Sequence, residues 1–212
     1  MKEINFTDSH RKKHFEFFKK FSQPHFNVCG NVEITSLVDY IRAKELSFTP
    51  VMVYLISKTA NDIREFRWRL RGEKIVEHEL VHPSFAVTPK GSDVFSFCPV
   101  DFEYDFAAFY QAATAAMDHF QNNPTVEDVE GRDDYLFLSI IPWISFTGFT
   151  HAMHYANPDS VPRIVWGKYF KAGEKVMMPL SVQAHHALVD GRHVGLYFKK
   201  FEEEVVRFML KT

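Results

Sequence analysis

The spacing of apolar positions changes several times along the chain, and each change predicts an element. From His10 to Phe21 the run HRKKHFEFFKKF places Phe15, Phe18 and Phe21 at helical spacing with basic residues opposite. That is an amphipathic helix, stopped before Pro24. Phe26, Val28, Gly30, Val32 and Ile34 then alternate with polar residues, a half-buried strand. Thr35 or Ser36 can cap a helix ending near Leu46, and Thr49-Pro50 opens another, with Val51, Leu55, Thr59 and Ile63 on one face. Short strands follow at Lys74–Glu77, Ser84–Thr88 and Val94–Cys98, punctuated by Gly72, Pro83, Pro89 and Gly91. Helical spacing returns from Asp105 to Asn122 in Phe106, Phe109, Ala113, Met117 and Phe120, followed by a polar loop from Asn122 to Asp134. Three more strands are predicted at Tyr135–Ile141, Ile164–Phe170 and from Lys175 into a double histidine. Val194, Tyr197, Phe198, Phe201, Val205 and Phe208 then form the apolar face of a C-terminal helix.

The strands cluster in the middle and at the end, without the strand-helix alternation of a doubly wound parallel sheet. One mixed α/β domain over residues 1–212 is the economical reading, since no linker, repeat or low-complexity tract divides the chain. A hydrophobic content of 46% and 22 phenylalanines point to a sizeable core. The net charge of -2, with both signs interspersed, gives no basic stripe for nucleic acid. No apolar run approaches a membrane span and Met1-Lys-Glu-Ile-Asn-Phe6 has no apolar h-region, so a soluble, cytoplasmic protein with no membrane partner is expected. Cys29 and Cys98 stand too far apart for a CxxC pair and are read as buried free thiols.

Candidate chemistry concentrates between Ser181 and His193, SVQAHHALVDGRH. Neighbours on a strand point to opposite faces, so only one of His185 and His186 can serve a given site. An imidazole at the end of a buried strand can act as a general base at neutral pH. Asp190 and Gly191 form the turn, the glycine being expected to relieve a Cβ clash. Two alternatives stay open on these residues alone. One is a purely structural His-Asp pair. The other is a metal site drawn from His185, His186, Asp190 and His193, which the opposed neighbours disfavour. Without a Walker-type loop or G-x-G-x-x-G, nucleotide phosphates would have to be held differently.

The spacing His186-x-x-x-Asp190-Gly191 resembles the signature of the chloramphenicol acetyltransferase family. Further blocks agree in order: Arg11-Lys-Lys-His-Phe-Glu16, Phe48-Thr-Pro50, Val81-His-Pro83, Pro142 to Phe149 (PWISFTGF), Gly167-Lys168-Tyr169, Gly173 to Leu180 (GEKVMMPL) and HHALVDGRHVG. The similarity covers nearly the whole chain. The short motif also occurs in acyltransferase cores of 2-oxo-acid dehydrogenase complexes and in condensation domains, whose other features do not suit this chain.

The resemblance implies a two-layer α/β sandwich, assembled as a homotrimer with sites at subunit interfaces. It implies acetyl transfer from acetyl-CoA to a hydroxyl of chloramphenicol, a small-molecule acceptor, with no metal. By family position His186 is the general base and Ser139 the hydroxyl that stabilises the oxyanion. Asp190 is structural, paired with Arg11. Phe18 and Phe26 bind the acceptor, expected across an interface from His186, and Lys168 contributes to the cofactor site. Three positions depart from the family: Val165 for a threonine, Ser47 for a lysine associated with CoA, and Pro24 for a cysteine. Catalytic machinery therefore looks intact while acceptor identity stays open. The alternatives are the same chemistry on another hydroxylated acceptor, or a trimeric binding protein without turnover.

Overall fold

A computed structural model describes residues 1–127, 129, 131–154, 156 and 158–211. In chain order the elements are β1 (Lys2–Ile4), α1 (Ser9–Phe18), β2 (His25–Glu33), α2 (Thr35–Ala43) and α3 (Phe48–Asn61). A 3-10 turn (Arg64–Arg67) leads to β3 (Trp68–Arg71), β4 (Lys74–Glu77), β5 (His82–Val87), β6 (Ser96–Pro99) and α4 (Phe106–Asn122). β7 (Tyr135–Ile141), β8 (Arg163–Gly167), β9 (Phe170–Ala172), β10 (Lys175–His185) and α5 (Gly191–Lys211) complete the chain.

The main sheet has the order β2-β10-β8-β7-β5-β6, with β9 beside β10. It is mixed: β10 runs antiparallel to β2 and β8, whereas β7 is parallel to both β8 and β5. β1, β4 and β3 form a separate small sheet. Alternation along β10 sends Met178, Leu180, Val182 and Ala184 into the hydrophobic core. Helices cover that face: α3 packs on α4, α5 and β5, while α5 reaches α2 and β2. α3 is buried nearly all round, from Pro50 to Ser57 and again from Thr59 to Asn61. Its polar residues are satisfied locally. Thr59 donates to Leu55 O at 2.7 Å, and Asn61 exchanges bonds with Val81, donating at 2.9 Å and accepting at 2.8 Å.

The other face of β10 carries Pro179, Ser181, Gln183 and His185, all buried. Phe146 and His151 lie against it. The His151 amide donates to Gln183 Oε1 at 3.0 Å, and Phe146 and Pro179 both lie against Gly167.

The elements match the hydrophobic pattern where that pattern is long. The main omissions are β1 and β3 of the small sheet, three and four residues long and too short to show a period, whereas β4 matches the strand expected at Lys74–Glu77. The strand expected over Ile164–Phe170 is interrupted at Lys168-Tyr169, where the chain turns from β8 into β9. The strand expected at Val94–Cys98 begins only at Ser96, with Val94 and Phe95 exposed. The helix expected to reach Phe21 ends at Phe18, and the one expected to reach Leu46 ends at Ala43. The polar loop after α4 contains Asp128 and Glu130, which lie outside the described residues. Cys98 is buried as expected but Cys29 only half so; both are free thiols.

Candidate active site

The turn after β10 is built by backbone and caps. His185 O accepts from Leu188 N at 3.0 Å and Val189 N at 2.9 Å, which reverses the chain. Asp190 then caps α5: its Oδ1 accepts from Arg192 N at 3.3 Å, while its own amide donates to His193 Nδ1 at 2.9 Å. This is the reciprocal logic of a capping box, with histidine in the place usually held by glutamate. Burial opposes ionisation of Asp190. The Arg192 amide and the nearby His186 and His14 rings outweigh it and hold the carboxyl below its ordinary value. Gly191 is not in the left-handed region, and a Cβ there would meet nothing within 4 Å. The clash-relief role expected of Gly191 is therefore absent; the cap shapes the turn instead.

The two adjacent histidines separate as strand alternation requires. His185 is buried, its Nδ1 accepts from Ala187 N at 3.2 Å, and its ring meets His25 edge-on at 5.2 Å. Burial pushes its pKa down to about 4, reinforced by His25. His186 faces the other way, its amide donating to Pro24 O at 2.8 Å. Its ring stacks on Phe18 at 3.9 Å and leans on Phe26 at 4.5 Å. Its Nδ1 is enclosed without a hydrogen-bond partner, and Asp190 Oδ2 stands 3.8 Å away.

α1 supplies the remaining wall. Asp8 caps it by accepting from Arg11 N at 2.6 Å, and the i, i+3, i+7 spacing then aligns Arg11, His14 and Phe18 on one face. Arg11 does not pair with Asp190 as expected. Its guanidinium donates to Leu188 O, over the turn, and lies on the rings of Phe6 and Trp68 at 5.1 and 5.9 Å. Asp190 acts on Arg11 only through space, while its close partner on α1 is His14, with Nε2 3.3 Å from Oδ2. The physical reason is reach. Leu188 O lies nearer the guanidinium, and the shorter His14 side chain fills the gap to the carboxylate. Phe18 and Phe26, expected across an interface from His186, pack on His186 within one chain.

Sequence reasoning missed His14, although its spacing from Arg11 and Phe18 was a usable signal. His14, His186 and Asp190 each bring a ligand-type atom within 4.8 Å of the others, a different set from the one read in the sequence. His185 faces away, and His193 is engaged with Asp190 N and, at 3.6 Å, with Glu65.

Ser139 lies elsewhere. It lines a cleft of about 770 Å³ with Thr49, Phe95, Met117, Gln121 and Trp143, at the C-terminal ends of β5 and β7. Sequence reasoning did not single out these wall residues; the exposure of Trp143 and Phe95 emerges only from the fold. Lys168 is exposed beside this region without lining the cleft. Its amide donates to Ile144 O at 2.9 Å and its carbonyl accepts from Ser145 Oγ at 2.6 Å, fixing the β8–β9 turn to the Trp143 segment. Gly167 permits that contact, because a Cβ there would come within 2.8 Å of Phe146 and Pro179.

One chain does not bring Ser139 to His186. The register sets Ser139 opposite Val165 and Val165 opposite Ser181, one row across three strands. Two strand spacings and five residues along β10 then separate the Ser139 and His186 backbones by roughly 19 Å. The departures from the family pattern fit their places. Val165 is fully buried in this row, the Ser47 amide is held by Tyr110 Oη at 2.9 Å, and Pro24 offers the carbonyl that anchors His186.

Comparison with known proteins follows the same lines. The family model described as chloramphenicol acetyltransferase matches residues 1–202. A chloramphenicol acetyltransferase of Proteus mirabilis is 31% identical over 193 residues, covering 91% of this chain and 89% of the relative. One from Escherichia coli is 29% identical over 202 residues, covering 94% and 91%. A solved chloramphenicol acetyltransferase superposes with a TM-score of 0.84 at 25% identity, over 95% of this chain and 98% of that one. A dihydrolipoamide acetyltransferase of Azotobacter vinelandii, at 18% identity and a TM-score of 0.69, covers 99% of this chain and 94% of that one and shares the fold.

Proposed function

Because the chain belongs to the chloramphenicol acetyltransferase family, we propose that this acyltransferase moves acetyl from acetyl-CoA to a hydroxyl of chloramphenicol at a site completed by a second copy. The carrying observation is the placement of His186: a partly exposed imidazole clamped between Phe18 and Phe26, with a carboxylate behind its enclosed nitrogen. A carboxylate near Nδ1 favours the tautomer with its proton there, because a bare lone pair facing that charge is repelled. Nε2 is then free to take the acceptor's hydroxyl proton, a contribution of about 10²–10⁴-fold. As His186 becomes charged, Asp190 stabilises it, and the Pro24 carbonyl keeps the backbone in place.

Acetyl-CoA would supply the activated acetyl group. The cleft beside Ser139 fits a long thioester-bearing arm in size and in its largely apolar lining of Met117, Phe95 and Trp143. Ser139 there donates to the acyl oxygen as negative charge develops. With about 19 Å between Ser139 and His186 in one chain, the two serve one reaction when His186 of one chain meets the Ser139 cleft of another. The trimer of the sequence reading provides that arrangement. Pairing of β2 with β10 supports reading residues 1–212 as a single domain.

Following thiol release from acetyl-CoA, with and without chloramphenicol, tests the reading. Acceptor-dependent release that falls to background in His186→Ala supports it. Release indifferent to chloramphenicol but restored by another hydroxyl compound would keep the chemistry and replace the acceptor. No release with any acceptor would remove the enzymatic reading.

A further inference from the structure

We propose that His14, His186 and Asp190 form a site for an exchangeable divalent transition-metal ion of the zinc type and, resting on His186 as the base, that the bound ion switches transfer off. Among the described residues these three are the one group of ligand-type side chains close enough to share an ion, all within 4.8 Å of one another. His14 Nε2 and His186 Nδ1 are both closed to solvent and without a hydrogen-bond partner. Two ring nitrogens left bare in this way are costly, and a cation between them would offset their desolvation. Asp190 Oδ2 stands 3.3 Å from the first nitrogen and 3.8 Å from the second. A tetrahedral ion with ligand bonds of about 2.0–2.1 Å holds its donors roughly 3.4 Å apart, so small side-chain rotations bring the three onto it.

The donor set defines the ion. Two imidazoles and one carboxylate suit zinc, cobalt(II), nickel(II) and copper(II), whereas magnesium and calcium require more oxygen donors. Phe18 fixes both rings, its centroid 4.7 Å from that of His14 and 3.9 Å from that of His186. Asp190 Oδ1 is tied to the Arg192 amide, which leaves Oδ2 for the ion. His186 and Asp190 are partly exposed, so an ion can enter and leave. Arg11 opposes it. Coordination through Nε2 leaves the His14 proton on Nδ1, facing Arg11 Nη1 at 3.4 Å, and the guanidinium charge repels a cation. Three protein ligands with that opposition make an exchangeable site, not a closed structural one. An ion on His186 Nδ1 takes the lone pair there and leaves the ring proton on Nε2, so the imidazole cannot accept the proton of a hydroxyl.

Cobalt(II) and zinc added to the full chain test this, with acetylated chloramphenicol measured by chromatography because zinc also binds the released thiol. Cobalt(II) should give the visible absorption of a tetrahedral site, displaced by zinc and independent of turnover. That absorption should be lost in His14→Ala and in His186→Ala. Saturating zinc should cut product formation in the wild type by about tenfold or more, reversibly on adding EDTA, and magnesium should not. Measured against its own metal-free rate, His14→Ala should need about tenfold more zinc or beyond for the same fractional loss. No cobalt absorption in the wild type, or absorption unchanged in both variants, would overturn the site and leave the base assignment standing. Cobalt absorption that is lost in both variants, beside full turnover in the metal-loaded wild type, would uphold the site and overturn both the switch and His186 as the base.

Discussion

At the end of β10, His185 has 2% of its surface exposed, its ring against His25 and its Nδ1 held by the Ala187 amide. One residue on, His186 keeps 26% of its side chain exposed and stacks on Phe18 beside Asp190. Two identical residues thus receive opposite environments from a single peptide step. His185 faces a buried layer whose other histidines, His25 and His151, are also pushed down to about 4 by burial. At neutral pH such groups stay uncharged and serve packing. His186 has a carboxylate to stabilise the charge it would gain, which a proton acceptor needs. The lesson is that a histidine pair divides into structure and chemistry by which face of the sheet each ring joins.

Exchanging the two in mutational tests should show the largest effect. His186→Ala should cut transfer by about 10²–10⁴-fold while substrates still bind. His185→Ala should leave kcat within a few-fold and instead cost about 1–3 kcal/mol of stability, seen as a lower urea midpoint. A greater catalytic loss in a folded His185→Ala would reverse the assignment.

Ser139→Ala extends the comparison to the cleft. It should lower kcat by about 10²-fold with KM nearly unchanged, as for a donor engaged only as charge develops. A loss confined to KM would make Ser139 a binding residue.

Gly167→Ala should be felt on the His185 side of the sheet. The new Cβ meets Phe146 and Pro179, so about 1–3 kcal/mol of stability should be lost. Gly191→Ala, with open space around it, should change stability far less. Equal melting shifts for the two would contradict the packing described here.

The most graded effect is on pH. His25, His151 and His185 have folded values of about 4 against an ordinary 6.5, so the unfolded chain binds more protons between these limits. Stability present above about pH 6.5 should therefore be lost as pH falls toward about 4. Urea titrations across that window check the sign, and His185→Ala should flatten the slope. A midpoint that rises on acidification would refute it.

Much of this was legible in the sequence because the signals are long or chemically distinctive. The alternation of β10 is sustained over eleven residues, so the opposite facing of His185 and His186 followed directly. β1 and β3 pair only in the small sheet and carry no period of their own. Gly191 looked like a backbone requirement, but the reciprocal Asp190–His193 cap meets that need. The Arg11–Asp190 pair was inherited from the family's pattern, and which of two basic residues one turn apart reaches a carboxylate is decided by local distances that spacing does not contain. The separation of Ser139 from His186 depends on strand order, which the chain order of the motifs conceals.

Mixing two inactive chains tests the central claim most directly, namely that His186 of one copy works with the Ser139 cleft of another. His186→Ala and Ser139→Ala chains, each strongly impaired alone, should regain chloramphenicol-dependent thiol release when assembled together, since some interfaces then pair an intact His186 with an intact Ser139. Mixed assemblies no more active than the separate variants would contradict a site shared between chains.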